Sequence, residues 1–114
     1  MDWHRLSAYP GEQLWRGTVL RAPVSEYPYE APVDFMLVSS VDSPCGLAVV
    51  VSTGSQAGSL LVQLPSEAQG SPNSSSVSRD WLTANWEKWV TDKCSSEQVL
   101  VSERYSPGVG GSDV

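Results

Sequence analysis

The stretch Ser78–Val90, SRDWLTANWEKWV, constrains the fold more than any other part of this chain. No glycine or proline interrupts it. At 100° per residue, Leu82, Trp86, Trp89 and Val90 fall within one stripe, with Trp81 at its edge. Thr83, Glu87 and Lys88 fall outside that stripe. Ser78 is placed to cap the first turn, and Asp80 sits where the helix dipole favours a negative charge. The pattern predicts an amphipathic helix from Arg79 to Thr91 laid across an apolar surface. Aromatic residues at helical spacing are usually core, so Trp86 and Trp89 are expected to pack inward rather than cage a ligand.

That surface is expected to be a sheet. LWRGTVL (Leu14–Leu20) reads as a strand with Trp15, Gly17 and Val19 on one face; Gly17 suggests a bulge or a close backbone approach. In Val33–Ser39, Val33, Phe35 and Leu37 alternate with Asp34, Met36 and Val38. GLAVVVST (Gly46–Thr53) is apolar on both faces, as in a central strand. GSQAG (Gly54–Gly58) has hairpin length and leads into SLLVQLP (Ser59–Pro65). A last strand is expected in Gln98–Tyr105, where Val99 and Val101 are candidates for an exposed edge that pairs with another copy. Ser66–Ser78, polar and serine-rich, is expected to be a mobile loop. The predicted class is α+β, an antiparallel sheet of about five strands with the helix packed on it. Residues 1–106 are expected to form a single domain and 107–114 a flexible tail.

Charge narrows the function. The chain has 114 residues and a formal net charge of −6. Nucleic-acid binding needs a basic footprint, and anionic membranes attract basic segments, so neither partner is expected. Between Arg21 and Arg79 there is no lysine or arginine, while Glu26, Glu30, Asp34, Asp42 and Glu67 all lie there. Such a stretch attracts a basic partner and speeds its capture. No apolar run approaches the roughly 20 residues that span a bilayer. MDWHRLSAYPGEQ has neither the apolar core nor the cleavage site of a secretory leader, so the expected location is the cytoplasm.

The chemistry-bearing residues are sparse. His4 is the single histidine, and no G-x-S-x-G elbow presents a serine. Cys45 and Cys94 share no metal-ligand spacing, so neither a metal nor a cofactor is expected; reduced thiols are favoured, with one disulfide left open. The glycines of STGSQAGS lack the lysine of a phosphate loop. The chain is therefore not expected to be an enzyme. The most suggestive exposed element is EYPYE (Glu26–Glu30), which interleaves two tyrosines with two acids on a segment stiffened by Pro23, Pro28 and Pro32. Its tyrosines either contact a partner or pack back onto the domain.

LWRGTVLRAPVSEYPYEAPVDFML, STGSQAG, WLTANWEKWV and QVLVSERY together resemble the immunity protein 45 family, over roughly Trp3 to Val101. Members are small bacterial proteins encoded beside toxins of polymorphic and type VI secretion systems. The resemblance implies a protein that binds and neutralises a cognate secreted toxin, often a nuclease, inside the producing cell. A non-inhibitory accessory or scaffold protein for a secreted effector is the alternative. With the charge pattern, this makes Glu26, Tyr27, Tyr29, Glu30 and Asp34 the expected partner-binding residues, with Asp42 and Glu67 contributing.

Overall fold

The computed structural model describes residues 3–23, 32–54, 56–72 and 74–103. Its main sheet has six strands. In chain order these are β1 (His4–Arg5), β3 (Val19–Ala22), β4 (Val33–Ser39), β5 (Leu47–Val51), β6 (Leu60–Gln63) and β8 (Leu100–Ser102). Their spatial order is β1-β8-β3-β4-β5-β6, antiparallel throughout. A second, two-stranded sheet pairs β2 (Gln13–Trp15) with β7 (Ser76–Ser78). The helix α1 spans Arg79–Trp89. The α+β class holds: one helix lies on an antiparallel sheet.

The helix begins as the sequence predicts. The Ser78 Oγ accepts the Trp81 N–H at 3.2 Å, and Asp80 occupies the first turn. Its entry is also pinned from outside, because the Arg79 N–H donates to the Glu12 carbonyl and the Arg79 guanidinium to that of Tyr9. Leu82 and Trp86 are buried, and Trp86 meets Phe35 edge-on at 5.9 Å. Trp81 and Trp89 are half-buried and lean on each other at 5.8 Å. Val90 just past the helix is buried as well, so of the expected stripe only Trp89 stays partly exposed.

Paired strand residues share a face. Leu20, Phe35 and Val51 are in register, as are Leu37 and Val49, and all join the buried cluster beneath the helix. The opposite face carries Val19, Met36, Val50 and Leu60 in one row, with Val38, Ala48 and Gln63 in the next. No helix seals that face among the described residues.

Three expectations need correction. The predicted strand Leu14–Leu20 is two strands, split by a turn in which the Thr18 N–H donates to the Trp15 carbonyl. Gly17 has φ +90°, a backbone state that favours glycine, and its N–H reaches the Leu37 carbonyl at 2.7 Å. The turn sends β2 into the small sheet and β3 into the large one. Second, Val99 and Val101 are fully buried, because β8 lies between β1 and β3 rather than at an edge.

Third, the serine-rich segment is organised. A 3-10 turn spans Ser66–Ala68, and β7 closes the segment. Between them, Gln13 Oε1 accepts from the hydroxyls of Ser71 (3.2 Å) and Ser76 (3.0 Å). Gln69 Nε2 donates to the Ser74 carbonyl at 2.7 Å. Serine hydroxyls here add to the burial of Ala68 and Val77 at the two ends of the segment.

Candidate functional site

The expected partner-binding residues fall into three places. Glu26, Tyr27, Tyr29 and Glu30 lie outside the described residues, as does the tail 107–114. The strand ends that flank those four, Ala22 on β3 and Val33 on β4, pair with each other at one end of the sheet.

Asp34 is inside the domain rather than on its surface. Its side chain is 2% exposed, against 36% for Arg21 opposite it on β3. The pair is bidentate: Arg21 Nε donates to Asp34 Oδ1 at 2.8 Å and Nη2 to Oδ2 at 2.9 Å. The Asp34 N–H donates to Thr53 Oγ1, and its carbonyl accepts from the Ser52 N–H. The Arg21 guanidinium in turn stacks 4.4 Å from the Trp3 ring. A carboxylate bound on both oxygens is an internal counter-ion, and this role depends on strand register, which the sequence alone does not reveal.

Asp42 and Glu67 are both exposed, and the structure brings them to one end of the sheet. Asp42 lies in the β4–β5 turn, closed by the Ser40 N–H to the Gly46 carbonyl at 3.0 Å. The neighbouring Ser43 hydroxyl donates to the carbonyl of Leu64, just past β6, at 2.7 Å. Glu67 follows on the Ser66–Ala68 turn. Gly46 is required here: its φ is +89°, and a Cβ would stand 2.6 Å from Ser75 Oγ. A cleft of about 400 Å³ opens between this turn and the serine segment, lined by Ser39, Ser40, Ser43, Gln69 and Ser74 among others. The Ser43 hydroxyl bonds to a backbone carbonyl and that of Ser74 bonds within the segment, while His4 is on β1 at the far edge, packed edge-on against Tyr9.

Asp42 and the Ala22/Val33 strand ends stand at opposite ends of β4. Its seven residues extend about 20 Å at ~3.3 Å each. The uncovered face between these ends carries Met36, Val38 and Val50, each half-buried, and Leu60, 56% exposed. Strand periodicity did not single out this face, although β5 reading apolar on both sides was its signal. Trp15 was missed as well. Placed at the Trp15–Thr18 turn, it is 51% exposed and borders a second cleft shared with Tyr9 and Glu103. Burial pushes the Tyr9 phenol above its ordinary range, and the Glu103 carboxylate that accepts its O–H at 3.3 Å pushes it further.

A scaffold of this kind presents surfaces to a partner. The sequence profile of one family, described as Immunity protein 45, matches residues 6–101. The chain belongs to the immunity protein 45 family. No curated protein and no solved structure matches it. The matched span begins at buried Leu6 and ends on β8, so it takes in the helix, the first cleft, all of the second but Glu103, and at least part of five of the six main strands. An immunity protein acts by binding a cognate toxin. No helix among the described residues of this immunity protein is long and apolar enough to cross a membrane.

Proposed function

We propose that this immunity protein neutralises a secreted antibacterial toxin, of the polymorphic or type VI class, in the cytoplasm of the cell that produces it. The toxin is a basic nuclease, and it docks on acidic ends of the sheet. The observation that carries this reading is charge segregation. Asp42 and Glu67 are exposed and share one end, Glu26 and Glu30 follow the other end in sequence, and residues 22–78 contain no lysine or arginine. A nuclease presents a basic groove to its substrate, and an acidic inhibitor is steered to that groove or its rim. Tyr27 and Tyr29 add contact area of low entropic cost beside Glu26 and Glu30. Asp34 is left out of this set because Arg21 holds it.

The test is co-expression with the toxin encoded beside this gene. Cells that carry both survive, and the purified complex lacks nuclease activity. Reversing Glu26, Glu30, Asp42 and Glu67 together weakens binding and flattens its salt dependence. Unchanged affinity and salt response would remove the acidic ends from the interface. A toxin that is stabilised without rescue of the cell would make this chain an accessory protein instead. Turnover by the isolated chain would make it an enzyme.

A further inference from the structure

The main sheet has two edges, and they are treated differently. β1 is two residues long, bears His4 and Arg5, and Arg5 Nη1 donates across to the Glu97 carbonyl. A short, charged edge resists pairing with another strand. β6 has the opposite character. Its sequence Leu60-Leu61-Val62-Gln63 has no charge and no proline, and no strand lies on its far side among the described residues.

The polar groups it leaves open can be derived from the ladder. Backbone groups in an antiparallel strand alternate toward and away from the neighbour. The Leu64 N–H points inward, to the Leu47 carbonyl at 3.2 Å. Gln63, one residue earlier, therefore turns its N–H and C=O away from β5. A register shift between Val49 and Val50 bends β6 at its Leu60 end, so the regular part of the edge is the end beside Leu64. That is also the end where Ser43 ties the Asp42 turn to Leu64 and where Glu67 follows. At the other end Leu60 sits on the uncovered face, in register with Val50.

We propose that the open edge of β6 receives an extended segment of the toxin as an added strand. The segment places an apolar side chain over Leu60 and, four residues or about 13 Å along, a lysine or arginine near Asp42 and Glu67. Backbone bonds at Gln63 supply the pairing, and the two ends fix the register. The basic residue is selected because the whole span 22–78 offers it no opposing positive charge. A second copy of this chain is a poorer occupant, since its own β6 edge carries no lysine or arginine to meet Asp42 and Glu67. The proposal rests on the toxin-binding reading above.

The test uses the full chain and the neighbouring toxin domain, inactivated at its own catalytic site. Amide hydrogen exchange is read residue by residue by NMR. In the free protein the Gln63 amide exchanges fast and the Val62 amide slowly. In the complex Gln63 slows by roughly tenfold or more, as expected when an open N–H gains a partner. Gln63→Pro removes a donor the domain itself does not use. It retains the native circular dichroism spectrum and weakens toxin binding about tenfold. If that variant fails to fold, exchange in the wild-type complex still decides. A complex that forms while Gln63 stays fast overturns the β6 edge and leaves the toxin-binding reading intact. Protection of Gln63 in the free protein that disappears on dilution gives the edge to a second copy and overturns the proposal. If the toxin does not bind at all, both readings fall.

Discussion

Trp86 offers a sharp test of how this core is held. Its side chain is fully buried and meets Phe35 edge-on at 74°. Its indole N–H has no acceptor in hydrogen-bond geometry. Burial pushes the neighbouring Cys94 thiol upward; the Trp86 side chain beside it opposes that shift by favouring thiolate, and Glu87 adds a smaller upward push. Trp86→Ala removes the whole ring system and leaves a void, costing about 3–5 kcal/mol. Trp86→Phe removes only two apolar ring atoms and the N–H. The two apolar atoms are worth about 1.6 kcal/mol at ~0.8 each. Eliminating a buried donor without an acceptor returns about 1–3 kcal/mol. The net change for Trp86→Phe therefore lies between about 0.6 kcal/mol of loss and about 1.4 kcal/mol of gain. Urea unfolding followed by far-ultraviolet circular dichroism measures both variants, with equal m-values confirming a common unfolding reaction. A loss near 3 kcal/mol for Trp86→Phe would refute the reasoning. It would mean that the N–H makes a strong bond to Cys94, and a double-mutant cycle with Cys94→Ala would then show large coupling.

Two further perturbations follow from the same geometry. Arg21→Ala leaves the Asp34 carboxylate buried without its bidentate partner and should cost at least about 2 kcal/mol in urea unfolding. The double variant Arg21→Met, Asp34→Leu should recover most of it, and a double variant as unstable as Arg21→Ala would show that the pair is needed for more than mutual neutralisation. Stability should also fall at alkaline pH. Tyr9 and Cys94 both hold their protons to higher pH in the folded state, from ordinary values of 10.0 and 9.0. Their contribution is complete below those values and is lost as pH rises through the raised ones, because the unfolded chain releases protons first. Tyr9→Phe should flatten this decline in thermal melts above about pH 9, and an unchanged slope would remove Tyr9 as a source.

Much of this architecture is written in local signals. The helix is announced by its stripe and by Ser78, and the same hydroxyl caps it in three dimensions. β4 spans Val33–Ser39, the residues that alternation marks, and glycines at 54 and 58 flank the hairpin into β6. Each of these depends on neighbours a few residues away, so period and turn chemistry suffice. The candidate surface was less legible. Asp34 looks like one more acid of an acidic stretch until register sets Arg21 against it. Trp15 looks like a partner of Val19 on one strand face until Gly17 turns the chain and leaves Trp15 exposed. The serines of residues 66–78 look mobile until Gln13, far upstream, gathers their hydroxyls. Val101 looks like an edge until β1 and β3 close around it. In each case the deciding contact joins residues that composition and period cannot relate. The sequence thus set the elements and the sign of the charge, through short-range torsional and solvation preferences. Which carboxylates reach solvent, and which edge stays open, was set by long-range strand pairing, because only pairing fixes what lies opposite a residue.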